Sequence, residues 1–148
     1  LVSAGADPGV VAQEVYENRS RGEAKLIGRA FGNLHFEVDG AICWTELTQA
    51  DYAEFGGEDS EPEGLSSEIR GIRGVEVSCL LHETEEGGLR AGFRGKGSID
   101  CAAIASACGG GGHFNAAGAN IKDMPYDQAK LRVLEEVRKS VRSWKDRQ

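Results

Sequence analysis

Apolar positions along the chain switch between a period near 3.6 and a period of two, and the switches outline an α/β domain. Asp7-Pro8 reads as an N-cap followed by proline at the first helical position, and Val10, Val11 and Val15 supply the stripe of a helix running to about Asn18. A second helix is predicted from about Arg21 to Asn33, with Leu26, Ile27, Ala30 and Phe31 on its apolar face. His35-Phe36-Glu37-Val38 and Ala41-Ile42-Cys43-Trp44-Thr45 flank Asp39-Gly40, a strong two-residue turn signal, and so predict a hairpin. Thr48 is placed to cap a short helix reaching about Phe55. Gly56 to Gly64 is acidic and rich in turn residues, which predicts an exposed loop, and Leu65 to Arg70 predicts another short helix.

Val75, Val77, Cys79 and Leu81 alternate with Glu76 and Ser78, the pattern of a half-buried strand, and Glu85-Glu86-Gly87-Gly88 supplies its turn. On the returning strand Leu89, Ala91 and Phe93 alternate with Arg90, Gly92 and Arg94. The period of two places Arg90, Arg94 and Lys96 on one face, opposite Phe93, and Gly92 leaves space between the cations. Ser98 or Asp100 caps a short helix that ends at a run of glycines. Ala119 to Ile121 is a short strand, and a long helix runs from about Tyr126 to Trp144 with Leu131, Leu134, Val137, Val141 and Trp144 at helical spacing. The predicted fold is α/β, a mixed sheet of about five strands flanked by helices and preceded by linker helices.

Composition narrows the class. At 148 residues and 40% hydrophobic content the chain can bury a core of its own. No apolar run approaches the length of a membrane span, so a cytoplasmic location is the default expectation and no membrane partner is implied. Cys43, Cys79, Cys101 and Cys108 lie in apolar or small-residue settings without C-x-x-C spacing, which predicts buried reduced thiols rather than zinc ligands. The net charge of −7 argues against a broad nucleic-acid surface. The charge is unevenly spread, though: residues 89–122 carry Arg90, Arg94, Lys96 and Lys122 against Asp100 alone. An acidic protein with one confined basic region suits a small phosphorylated ligand better than a duplex.

That basic region surrounds Gly109-Gly110-Gly111-Gly112-His113-Phe114-Asn115-Ala116-Ala117-Gly118. Four consecutive glycines let a ligand approach the main chain and predict a loop of bare N–H donors curled around an anion, with His113 and Asn115 at its rim. The packable flanks on both sides argue against a flexible linker. The Gly-Lys-Ser/Thr ending of a nucleotide-triphosphate loop is absent. Arg94 offers a planar fork to phosphate and Lys96 a point charge. Asp100 is expected as a helix cap rather than a metal ligand.

The ten residues from Gly109 to Gly118 resemble the GGGGH-x-NAAG signature of the DHHA1 domain, the substrate-binding domain of the DHH family of phosphoesterases. Phe93-Arg94-Gly95-Lys96-Gly97, then Ser98-Ile99-Asp100, resembles that family's Arg-x-Lys-Gly segment, and Gly64-Leu65 with Gly74-Val75-Glu76-Val77 fits further upstream. The pattern is most similar to the branch that degrades very short RNA oligonucleotides and dephosphorylates 3′-phosphoadenosine 5′-phosphate.

The resemblance implies a substrate-binding domain with Arg94, Lys96, Gly109, Gly110, Gly111, Gly112, His113 and Asn115 on the substrate. It also implies an N-terminal catalytic DHH domain in the same polypeptide, holding manganese through an Asp-His-His motif that this sequence does not contain. Residues 1–33 are then expected to link to that domain, packing on it, and residues 34–148 to form the DHHA1-like domain. The chain is expected to be the C-terminal part of a longer enzyme, with no catalytic or metal-binding residue of its own and no activity alone. Its partners would be short RNA oligonucleotides or phosphorylated nucleotides, with homodimerisation left open. The competing reading is a non-catalytic nucleotide- or tRNA-binding module, as in the related C-terminal domain of alanyl-tRNA synthetases. Phe114 departs from the family pattern, where a basic residue commonly stands, and could stack on a base or pack inward.

Overall fold

The computed structural model describes residues 5, 7–10, 18–56, 62 and 64–148. Helix α1 (Arg21–Gly32) leads into β1 (His35–Glu37) and β2 (Ile42–Leu47). The short helices α2 (Gln49–Phe55) and α3 (Leu65–Arg70) then cross to β3 (Val77–Glu83). Strand β4 (Leu89–Gly95), helix α4 (Cys101–Ala107), the β5–β6 hairpin (Gly111–His113, Ala116–Ile121) and the long helix α5 (Tyr126–Lys145) complete the domain.

The strands form one mixed sheet in the order β1-β2-β3-β4-β6-β5. Only β2 and β3 run parallel, because the α2–α3 crossover returns the chain to the same end of the sheet. The sheet thus has six strands where about five were expected, and part of the glycine run is one of them.

Local chemistry explains most boundaries. Ser20 Oγ accepts the Glu23 amide at the start of α1. Thr48 and Asp51 form a reciprocal capping box that starts α2. At α4 the Asp100 carboxylate, not Ser98, accepts the Ala103 amide at 3.1 Å. The predicted helix from Asp7 begins at Pro8, with the Asp7 carboxylate accepting the Gly9 amide, and residues 11–17 lie outside the described residues. Most of the predicted acidic loop (57–61 and 63) also lies outside them, and Pro62 within it is buried.

Each face of the sheet carries its own core. Helices α4 and α5 cover one face, where Trp44, Cys79, Leu81, Phe93 and Ile121 meet Ile104, Val133, Val137 and Val141. Helices α1, α2 and α3 cover part of the other, where Cys43, Leu47 and Leu80 meet Leu26, Ala30, Tyr52, Leu65 and Ile69. Leu26 and Ala30 therefore pack on this sheet, not on a neighbouring domain.

Three further expectations are corrected. Strand β3 is buried on both faces rather than half-buried, because helices cover it on both sides along its length; Ser78 sits inside, donating to the Ser66 carbonyl. The β1–β2 turn falls one residue early: Val38 (φ 52°) and Asp39 (φ 55°) are its central residues, closed by the Gly40 amide on the Glu37 carbonyl. Leu131 is 66% exposed, because the buried stripe of α5 runs through Tyr126, Ala129, Val133, Leu134, Val137 and Val141, about 200° around the helix from Leu131 at two residues past Ala129.

Ion pairs tie α5 to the first hairpin. Lys130 Nζ reaches both Glu46 oxygens at 2.9 Å, Arg138 grips Glu37 with two nitrogens at 2.6 and 2.9 Å, and Lys145 pairs with Asp39.

Candidate functional site

Past α3, which packs against both β3 and β4, no described helix roofs the second face of the sheet, and a cleft of about 630 Å³ opens over β4, β6 and β5. Strand register dictates what lies there. Arg90 pairs with Asn120, Gly92 with Gly118 and Arg94 with Ala116, while Gly111 and His113 pair across β6 with Gly118 and Ala116. Directly paired residues share a face, as do alternate residues on one strand. The open face therefore carries three parallel rows: Arg90 and Asn120; then Gly92, Gly118 and Gly111; then Arg94, Ala116 and His113. The middle row is bare backbone across three strands, and a cation stands on either side of it. The intervening residues Leu89, Ala91 and Phe93 face the opposite core.

The four glycines have different duties, and they do not form the free loop of N–H donors expected from the sequence. Gly109 takes φ 81°, a left-handed conformation that ends α4. Its amide donates to Ser106 O at 3.0 Å and the Gly110 amide to Ala105 O at 2.7 Å, the paired bonds of a Schellman cap. Gly111 and Gly112 belong to the β5–β6 ladder. A Cβ on Gly110 would lie 2.1 Å from Gly118 O, and one on Gly112 would lie 2.6 Å from Ala117 Cα, so both positions exclude a side chain through backbone contact. At Gly111 a Cβ would meet nothing within 4 Å; that position borders the open cleft.

The structure brings together Arg94 and Gly109 to Gly112, all of which line the cleft. The Arg94 guanidinium is half-buried and Nη1 donates to Phe93 O at 2.9 Å, leaving its other nitrogens for a ligand. His113 is exposed on the Arg94 row, at the rim beyond the lining residues. Lys96 is not brought to the cleft: it stands past the end of β4, with Nζ donating to Ile72 O at 2.9 Å. Asn115 also lies outside the lining. It sits in the tight β5–β6 turn, which is pinned by the Gly95 amide on Asn115 O and the Cys101 amide on Phe114 O. Phe114 is 47% exposed there and does not pack inward.

Sequence reasoning missed Asn120, Gly92 and Gly118 as parts of the site and left Arg90 out of it. Their signal was the alternation of Arg90, Gly92 and Arg94 and, on β6, of Ala116, Gly118 and Asn120. Among the described residues two arginines and no carboxylate line the cleft, on a protein of net charge −7. Among the described residues no group of three or more His, Cys, Asp or Glu could hold a metal ion. All four cysteines are free and buried, and burial pushes the thiols of Cys43 and Cys101 up to about 11. No described helix is long and apolar enough to cross a membrane.

An α/β domain with one half-open sheet face, floored by glycine and flanked by arginine, is the architecture these features define. The chain belongs to the DHHA1 domain family, which matches residues 47–145. It is 37% identical over 118 residues to the bifunctional oligoribonuclease and PAP phosphatase NrnA of Thermus thermophilus; the match covers 79% of this chain and 34% of that protein. The chain thus spans about a third of that curated relative's length. Among solved structures, an exopolyphosphatase-related protein from Bacteroides fragilis superposes with a TM-score of 0.84 at 25% identity, over 97% of this chain and 42% of that one. A pGpG-specific phosphodiesterase from Vibrio cholerae superposes with a TM-score of 0.57 at 10% identity, over 80% of this chain and 40% of that one, a likeness of fold alone.

Proposed function

We propose that this chain is the substrate-binding domain of a metal-dependent DHH-family phosphoesterase that hydrolyses short RNA oligonucleotides and 3′-phosphoadenosine 5′-phosphate. The observation that carries this reading is the cleft: a bare glycine row beside Arg94, whose guanidinium has no carboxylate partner among the described residues. A phosphate on the Arg94 row would receive charge-assisted hydrogen bonds from the guanidinium, with His113 as a further donor from the rim. The glycine row lets the rest of the nucleotide lie close to the sheet. The relative from Thermus thermophilus, named for activity on oligoribonucleotides and PAP, supports this substrate class. Manganese and the residues that activate water would belong to a catalytic DHH domain joined through residues 1–33, in a cytoplasmic enzyme. The described residues of this chain do not cluster as ligands for that metal.

The test is a pair of substitutions in an enzyme that carries the catalytic half. Arg94→Ala and His113→Ala should each lower kcat/KM by roughly 10- to 150-fold, the equivalent of one charge-assisted contact worth about 1.5–3 kcal/mol. Manganese affinity should be unchanged. Lost manganese binding with an intact fold, or unaltered kcat/KM in both variants, refutes the assignment.

A further inference from the structure

The cleft has a second polar end that the phosphate row does not use. Arg90 and Asn120 face each other across the β4–β6 ladder on the far side of the glycine row from Arg94. Both are exposed and both line the cleft. Among the described residues the Arg90 guanidinium has no carboxylate partner, whereas Glu37, Glu46 and Glu54 each hold a cation elsewhere in the domain. A free guanidinium on an acidic protein, beside a neutral amide and a bare floor, is a site for a second anionic group on the same ligand.

The geometry sets the ligand's length. Arg90 and Arg94 are four residues apart on one strand, so their Cα atoms lie about 13 Å apart, and the floor between them is about 10 Å wide across three strands. Side chains of that reach can lean inward and close on two phosphates separated by one nucleoside. We propose that Arg90 and Asn120 form a second subsite that recognises a further phosphate one nucleoside away from the group held by Arg94. The pair then discriminates nucleotides bearing two phosphates from mononucleotides bearing one. This rests on the proposed function above and adds to it the residues that count phosphates.

Three ligands titrated into the chain by NMR or calorimetry test it: adenosine 5′-monophosphate, 3′-phosphoadenosine 5′-phosphate and a 5′-phosphorylated RNA dinucleotide. Arg90→Ala should weaken at least one two-phosphate ligand tenfold or more and leave the monophosphate within twofold. Asn120→Ala should act in the same direction but less, because charge-assisted bonds are about twice as strong as neutral ones. Arg90→Lys should recover part of the loss, since the charge returns without the fork. A greater loss for the bisphosphate than for the dinucleotide identifies a terminal second phosphate, and the reverse identifies a bridging one. Arg90→Ala binding the two-phosphate ligands as tightly as the parent, or losing the monophosphate equally, overturns the second subsite. Arg94→Ala separates the two levels. If it weakens all three ligands while Arg90→Ala weakens none, only the second subsite falls. If Arg94→Ala weakens none, the phosphate row falls and the second subsite with it.

Discussion

Gly111 and Gly112 are neighbours on one short strand, yet they should respond to alanine in opposite ways. At Gly112 an added Cβ would stand 2.6 Å from Ala117 Cα, 2.7 Å from Ala116 O and 2.8 Å from Ala117 Cβ, at a φ of 147°. The first two contacts are backbone atoms of the paired strand, so no rotamer change relieves them. Forcing a methyl into such a contact costs about 1–3 kcal/mol, and the backbone conformation adds about 1–3 kcal/mol more. The total is bounded because β5 is a three-residue edge strand that can lift from β6 instead, at the expense of ladder bonds worth about 1 kcal/mol each. A net loss of about 2–3 kcal/mol is therefore expected for Gly112→Ala, or a fall in Tm of about 4–12 °C at 2–4 °C per kcal/mol. At Gly111 the methyl meets nothing within 4 Å and φ is not positive, so Gly111→Ala should hold or gain about 0.4–1 kcal/mol through the unfolded chain. That same methyl would rise from the floor of the cleft and weaken nucleotide binding. Urea or thermal unfolding followed by circular dichroism, with a nucleotide titration of each folded variant, reads both effects. Gly112→Ala unfolding within about 0.5 kcal/mol of the parent, or Gly111→Ala falling as far as Gly112→Ala, would refute the assignment of which glycine faces the partner strand and which faces solvent.

Two other outcomes follow from the interior. Bidentate hydrogen bonding from Arg138, helped by the Trp44 indole N–H, holds the Glu37 carboxyl below its ordinary 4.5. A depressed carboxyl contributes stability above its unfolded pKa that is lost as pH falls through the lower folded value, so urea midpoints should drop below about pH 4.5, and Glu37→Gln should flatten that part of the curve; an unchanged slope would show that the pair carries no such linkage. All four cysteines are buried, with desolvation raising each thiol, so a thiol-specific reagent near neutral pH should label none in the native protein and four after denaturation. Rapid labelling of any one without unfolding would mean that its cover opens.

What the sequence disclosed and what it hid divide along the range of the interactions involved. Thr48 with Asp51, and Asp100 with Ala103, act within one helical turn, so cap chemistry located α2 and α4 directly. The alternation of β4 was equally local and placed Arg90, Gly92 and Arg94 on one face before any partner was known. The glycine run misled because glycine is depleted in strands, and only pairing with β6 makes Gly111 and Gly112 one. Its first half was more legible than the loop reading allowed: small-residue helix, then Gly109 and Gly110, is the pattern of a helix ended by a left-handed glycine.

Burial was the least legible property, because it depends on which helices arrive from far along the chain. Strand β3 carries Ser78 among its apolar residues, with Glu76 just before it, and looked one-sided, yet α3 roofs Ser78 and leaves its hydroxyl to the Ser66 carbonyl. Two strands further along the same face, no described helix arrives. There an apolar pattern would have left a sticky surface, and the chain instead carries arginine, asparagine and glycine. The functional site is therefore the part of the sheet whose composition makes sense only if it stays uncovered. The glycines that keep its floor flat also make β5 the strand most easily lost, so binding and the integrity of that edge should be coupled: a ligand that bridges β4, β6 and β5 holds the edge strand in the ladder.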